Sequence, residues 1–230
     1  KVLLIQPPIE DYYDTSIRTY PLSLLYIATK VREICDVSIA DLRSNRKPRQ
    51  IIDHPFPELA PYYRKDRYTP ISLFKQYSRF GADLGEIRQR IVFEKPDVVA
   101  VSSLFSAYSG EAMDIARCAK EVDDKIITVA GGIHPTLFPE HVLQSPFVDY
   151  VVRGEGETPF SVLIEAIKKG TVQSIAGTGG IASKHHGRCI IPDIHIEENL
   201  DLVPDRRLVN PSEYRIGKKK YTFFLTSRGC

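Results

Sequence analysis

Three short runs carry residue types suited to holding a large polar ligand. They are Ser102-Ser103-Leu104-Phe105, Gly131-Gly132-Ile133-His134-Pro135-Thr136 and Gly154-Glu155-Gly156-Glu157. A serine hydroxyl can hydrogen-bond a buried base or phosphate. A glycine lets backbone approach a bulky ligand, because it has no side chain to hold that ligand off. Either feature alone also describes an ordinary tight turn. The third run places glycines and carboxylates where a helix begins, and a helix start has free amides to offer. Glu157 and Thr158 equally suit a helix cap there. A fourth candidate is Cys230, at the end of Thr226-Ser227-Arg228-Gly229-Cys230. A thiolate there could bind a metal, but Cys35, Cys118 and Cys189 are too distant in sequence to form a ligand pair with it.

The elements that must position these runs alternate between strand and helix. Short apolar segments at Lys1–Gln6, Val37–Ala40, Asp97–Ser102, Ile126–Ala130 and Tyr150–Arg153 read as buried strands. Helical spacing of apolar residues marks Pro21–Ile34, Asp83–Phe93, Glu111–Val122 and the stretch from Thr158 to Lys169. Asp83 and Glu86 form a capping-box pattern, and Pro96 stops that helix. Such alternation implies parallel strands joined by right-handed crossovers. The expected fold is α/β, flavodoxin-like (Rossmann-like): a doubly wound parallel five-stranded sheet of order 2-1-3-4-5. Ligands of such sheets lie outside the carboxyl ends of the strands. The cleft is therefore expected from Pro7, Pro8, Ile9 and Glu10 together with the three runs above.

The rhythm breaks in two places. Residues 43–81 hold no clear strand and are rich in proline and aromatics, among them Pro55, Phe56, Pro57, Tyr62, Tyr63, Tyr68, Phe74 and Tyr77. A long stretch of this kind packs on a neighbour or lids a ligand. After Gly170, Ile175–Ile181 and Cys189–Ile191 suggest a small hairpin around His185-His186-Gly187, and Leu200–Tyr214 reads as a linker. Tyr221–Leu225 reads as a final strand. The organisation expected is a domain over 1–170 with an insertion at 43–81, a linker and hairpin over 171–220, and the start of a further domain at 221–230.

Five segments together resemble the cobalamin-binding domain of cobalamin-dependent radical S-adenosylmethionine (SAM) enzymes. They are Ile5-Gln6-Pro7-Pro8, Tyr20-Pro21-Leu22-Ser23-Leu24-Leu25-Tyr26, Pro96 to Ser103, Gly131 to Thr136 and Arg153 to Glu157. The Ser-x-Leu and Gly-Gly pair, separated by twenty-six residues, also resembles cobalamin domains of methyl-transferring and mutase enzymes. In those, the serine and the glycines line the cleft for the nucleotide tail. The resemblance implies cobalamin bound at the loops named above, and a radical SAM barrel in the same full-length chain. It implies Cys230 as the first thiolate of a Cys-x-x-x-Cys-x-x-Cys loop holding a 4Fe-4S cluster, with SAM as a further cofactor. This stretch alone would bind and not catalyse. The full protein would methylate an unactivated carbon or phosphorus; a porphyrin-ester type of cyclisation and a degenerate scaffold are the alternatives.

One departure from the wider cobalamin pattern is informative. Domains that supply a lower axial histidine carry Asp-x-His-x-x-Gly after the first strand, whereas here the loop runs Pro7-Pro8-Ile9-Glu10-Asp11-Tyr12-Tyr13. The cobalt is expected to lack that ligand. His134 is expected to bond a corrin amide or another loop.

Composition narrows the remaining classes. Thirty-one basic and 29 acidic residues leave a net charge of +2, which makes no case for nucleic acid or an anionic membrane. No apolar run reaches the roughly 20 residues of a membrane-spanning helix. The chain opens on Lys1-Val2-Leu3-Leu4-Ile5 without a signal-peptide pattern, the initiator Met being expected to have been trimmed, so a reducing cytoplasm is expected. A dinucleotide site would need Gly-x-Gly-x-x-Gly after the first strand, and that pattern is missing. A receiver-type signalling module would need acidic residues after the first strand and an aspartate after the third, where Pro7-Pro8 and Ser102-Ser103 stand.

Overall fold

A computed structural model describes residues 1–12, 19–43, 47–52, 56–58 and 77–226. The central sheet is built on β1 (Val2–Gln6), β3 (Val37–Asp41), β6 (Val98–Ser102), β7 (Ile127–Gly131) and β8 (Tyr150–Val152). With β9 (Ile181–His185) and β10 (Arg188–Ile190) added at one edge, its order is β10-β9-β8-β7-β6-β1-β3, and the pairs β3·β1, β1·β6, β6·β7 and β7·β8 are all parallel. The five parallel strands thus take the order 2-1-3-4-5 expected from the sequence.

The sheet has seven strands, not five. β9 and β10 form the hairpin expected around His185-His186-Gly187, with His185 ending β9, and β9 runs antiparallel beside β8. The hairpin starts six residues later than its sequence pattern suggested, because Gly177, Gly179 and Gly180 interrupt the apolar run after Ile175. Joining the sheet buries Ile181, Ala182 and Ser183.

The segment expected to lack strands contributes two short ones. β5 (Ser78–Phe80) pairs with both β4 (Arg49–Gln50) and β2 (Ile9–Asp11) in a separate antiparallel sheet. The aromatics Tyr62, Tyr63, Tyr68 and Phe74 lie outside the described residues. The strand expected at Tyr221–Leu225 is not formed. These residues pair in no ladder, and Phe224 is 74% exposed. The preceding chain instead makes a two-stranded ribbon from β11 (Arg215–Ile216) and β12 (Lys219–Lys220).

Helices cover both faces of the main sheet. Alternate residues of each strand point to opposite faces, which splits the core in two. Leu3, Ile5, Val99 and Val101 pack with α2 (Leu84–Glu94) and α3 (Ser109–Val122). Val2, Leu4, Val98, Ala100, Val129 and Val152 pack with α1 (Leu22–Val31) and α6 (Glu157–Lys169). Two short helices, α4 (Ile133–Leu137) and α5 (Pro139–Gln144), follow β7; α5 buries Val142 and Leu143 against Ala130, Val151 and Ala182.

Local signals explain where the helices start and stop. Asp83 Oδ1 accepts the Glu86 amide at 2.8 Å and Glu86 Oε2 accepts the Asp83 amide at 2.8 Å, completing the capping box. Lys95 ends α2 in the left-handed conformation, and Pro96 follows. Thr158 does not cap α6, which begins one residue earlier at Glu157; its hydroxyl donates instead to Glu197 at 2.7 Å. Among the described residues, no helix is long and apolar enough to cross a membrane.

Candidate functional site

The register of the parallel strands brings one set of side chains to a single face at the carboxyl edge. Leu4 pairs with Ala100, Ala100 with Val129, Ser102 with Gly131 and Gly131 with Val152. These residues line a cavity of about 730 Å³ that opens where β1 meets β6. That volume is typical of small-molecule sites. α1 closes one side with Leu22, Ser23, Tyr26 and Ile27, and the start of α6 closes another with Gly156, Glu157 and Phe160. The walls are largely apolar. Polar side chains in the lining include Gln6, Tyr20, Ser102, Thr136 and Glu157.

Most of the residues expected from the sequence converge here. Ser102, Leu104, Gly131, Gly132, Ile133, Thr136, Gly154, Glu155, Gly156 and Glu157 all line the cavity. Ser103, His134 and Pro135 are buried and lie outside its lining. Phe105 is 59% exposed beyond the lining residues, alongside a rim where Ile133 and Leu137 are also exposed.

The first loop is arranged differently from the expectation. Pro7, Pro8, Ile9 and Glu10 leave the same edge but turn from the cavity. Ile9–Asp11 is drawn into the small sheet, and Glu10 is held by Arg79 at 2.6 Å and donates its amide to Glu111 at 2.9 Å. The cavity residue of this region is Gln6, one position earlier. The contribution of α1 was also missed as a wall, although Tyr20 to Tyr26 belong to a segment that carried the family resemblance. Attention to loops after strands overlooks a helix that crosses the edge from the side.

Backbone and side-chain bonds clamp the two central loops together. The Ser103 amide donates to the Gly131 carbonyl at 2.7 Å, and the His134 amide donates to the Ser103 carbonyl at 3.2 Å. Gly132 has φ 112°, and a Cβ there would stand 2.6 Å from the Ser103 carbonyl oxygen. The close crossing of the loops therefore requires glycine. His134 Nδ1 lies 2.9 Å from Ser106 Oγ, so His134 engages the loop after β6, one of the two roles expected for it. Burial lowers the His134 pKa from its usual 6.5, with His141 adding to the effect. Its Nε2 and the Ser103 hydroxyl are buried without partners among the described residues.

Thr136 ties this pair to the loop after β8. Its hydroxyl donates to the Gly132 carbonyl at 2.8 Å and accepts the Gly154 amide at 2.9 Å. Arg153 Nε donates to the Thr136 carbonyl at 3.2 Å. Gly154, at φ 78°, crosses His195, where any Cβ would strike the His195 carbonyl. The Glu155 amide donates to that carbonyl at 2.9 Å. The edge is thus a preorganised wall, with a buried carboxylate, Glu157, in the first turn of α6, where the helix dipole favours negative charge. Among the described residues, no group of three or more His, Cys, Asp or Glu is placed to hold a metal ion. Cys35, Cys118 and Cys189 are free. Cys230 lies outside the described residues.

Comparison with known proteins shows what this chain resembles. The B12 binding domain family matches residues 76–164, which include both central loops and the loop after β8. An uncharacterized methyltransferase of Pyrococcus horikoshii, PH0819, is 29% identical over the whole of this chain and 43% of its own length. An anaerobic magnesium-protoporphyrin IX monomethyl ester cyclase of Rubrivivax gelatinosus is 35% identical over 49% of this chain and 20% of its own. This chain spans less than half of either relative. The radical SAM methyltransferase TsrM of Kitasatospora setae, solved with cobalamin and a 4Fe-4S cluster bound, shares the fold. Its TM-score is 0.54 at 18% identity, over 90% of this chain and 31% of that one.

Proposed function

We propose, from the premise that this chain is the cobalamin-binding domain of a cobalamin-dependent radical SAM protein, that its cavity takes the nucleotide tail of cobalamin and that the whole protein is a methyltransferase. The observation that carries this reading is the pairing of Ser102 with Gly131 on the cavity face, with Gly132 crossed tightly over Ser103. The residues fit the group. Leu4, Ala100, Val129 and Val152 give an apolar floor for a flat base, Gly131 and Gly132 leave backbone bare beside it, and Ser102 supplies a hydroxyl. Ile133, Thr136 and Gly154 to Glu157 would contact the cofactor from the mouth. Ser103, His134 and Pro135 would support them, and Pro7 to Glu10 would set the outer edge. Bound here, cobalamin supplies a cobalt centre able to carry a methyl group, and this domain holds and orients it.

The rest of the reading concerns the whole protein. Residues 1–170 form the cofactor domain, 171–220 the hairpin and linker, and 221–230 lead into a radical SAM barrel in the same chain, with Cys230 as the first of three cluster thiolates. The acceptor is an unactivated carbon or phosphorus. The free cysteines suit a reducing cytoplasm. A cyclisation is the second reading, favoured by the match to the Rubrivivax gelatinosus cyclase. Gel filtration of the intact protein after incubation with hydroxocobalamin tests the premise: the corrin absorbance should co-elute with protein. Elution of colourless protein would leave a scaffold that has lost its ligand. Supplying SAM with a labelled methyl group and a reductant then separates methyl transfer, in which product carries the label, from cyclisation, in which it does not.

A further inference from the structure

Among the described residues Gln6 is the one carboxamide in the cavity wall, and it is 4% exposed. It ends β1 directly opposite Asp41 at the end of β3, and its Nε2 donates to Asp41 Oδ1 at 3.4 Å. Asp41 is also held by the Arg43 amide at 3.1 Å and by the Tyr214 hydroxyl at 3.0 Å. Burial raises the Asp41 pKa, and these two donors oppose the rise by favouring the ionised form. Asp41 accepts from both of these donors, so the amino group of Gln6 faces it as a third. The carbonyl oxygen of Gln6 is left for the cavity, and no described residue donates to it. That oxygen is not among the buried side-chain atoms left without a partner, so it is open to the cavity, where a ligand can supply the donor that water otherwise supplies.

Tyr214 comes from the linker, 173 residues beyond Asp41, and is 1% exposed. Its ring meets Tyr20, a cavity residue, edge-on at 4.7 Å. It therefore touches the cavity through Tyr20 and Gln6 through Asp41.

We infer that the side-chain carbonyl of Gln6 accepts a hydrogen bond from the bound cofactor, and that Tyr214 is a positioning residue that acts through Asp41 to hold that carbonyl in place. The inference rests on the cofactor reading above and adds to it a recognition residue and its support. The donor is an N–H or O–H of the corrinoid, carried by a corrin side-chain amide or by the nucleotide tail.

The test is equilibrium dialysis of the intact protein and its variants against hydroxocobalamin and against cobinamide, which lacks the tail. Gln6→Met keeps the side chain's shape and should weaken binding about tenfold, the effect of leaving one ligand donor unpaired. Loss for both corrinoids places the donor on the corrin; loss for cobalamin alone places it on the tail. Asp41→Asn, whose amide can turn the Gln6 carbonyl away from the cavity, should match that loss. Tyr214→Phe should weaken binding about threefold when Gln6 is present and not further in the Gln6→Met background. A merely structural tyrosine would weaken both backgrounds equally, which would overturn its positioning role. Undiminished affinity of a folded Gln6→Met variant for both corrinoids would overturn the recognition role alone. Failure of the unmodified protein to bind either corrinoid would overturn the cofactor reading and this inference with it.

Discussion

Gly132 crosses Ser103 so closely that a Cβ at 132 would stand 2.6 Å from the Ser103 carbonyl oxygen, whereas a Cβ at Gly131 would have nothing nearer than 3.8 Å. The adjacent glycines therefore do different things. Gly132 lets two protein loops cross, and Gly131 leaves room in the cavity.

Two substitutions separate these roles. Gly132→Leu places a side chain on a backbone with φ 112° and against Ser103, and should cost about 1–3 kcal/mol of stability as well as cofactor binding. Gly131→Ala should melt at nearly the unmodified temperature yet bind cobalamin more weakly, because its methyl enters the space the ligand needs. Thermal melts read beside a cobalamin titration check both. A Gly131→Ala protein with full affinity would show that the ligand does not approach this backbone.

His134 gives the domain a pH dependence. Burial holds its pKa below 6.5, so in the folded protein it stays neutral where the unfolded chain takes up a proton. The unfolded state then binds more protons, and stability falls as pH drops from 6.5 toward the folded pKa. Above 6.5 this contribution is fully present. His134→Gln can keep a bond to Ser106 without titrating, and its melting temperature should change less between about pH 7 and pH 5.5. Equal slopes in the two proteins would assign the dependence to other groups, with His141, whose ring lies 5.9 Å away, the next to replace.

The cobalt should have no histidine from this domain below it. The loop after β1 has no histidine, and its described part is committed to the small sheet, while His134 lies outside the cavity lining, on Ser106. Electron paramagnetic resonance of the bound Co(II) state should show no superhyperfine splitting from nitrogen, and His134→Ala should leave that spectrum unchanged. A nitrogen splitting that vanished in His134→Ala would identify this residue as the ligand.

The parallel strands were legible because each is a short apolar run between helices of clear period, and the capping box at Asp83 and Glu86 fixed one helix start to the residue. The convergence of Ser102 and Gly131 followed from their places at strand ends. What could not be read depends on long-range partners. Tyr214 resembles any linker tyrosine until Asp41, far away in sequence, receives its hydroxyl. The sequence points to Pro7 to Glu10 and not to Gln6, because a strand's last side chain, and not the loop after it, faces the cavity. Ile181–His185 joined the sheet because the short β8 offered a free edge, which the sequence of the hairpin itself does not record.

Cys230 provides the last prediction. Leu225 is a cavity residue, and the five residues from there to Cys230 can span at most roughly 18 Å. On the reading proposed above, a cluster that activates SAM is held by this thiolate. In the intact protein, Cys230→Ala should therefore remove the 4Fe-4S absorbance and abolish reductive cleavage of SAM. Cobalamin should still bind, because the residues that line its cavity are untouched. Cys189→Ala is the control: this thiol lies in β10, remote from the parallel strand ends, and its loss should spare both cluster and cleavage. Normal SAM cleavage by the Cys230→Ala protein would remove this residue from the cluster and leave the radical SAM reading without a ligand in this chain. Loss of cobalamin together with the cluster would instead indicate that residues after Leu225 help to hold the cavity closed.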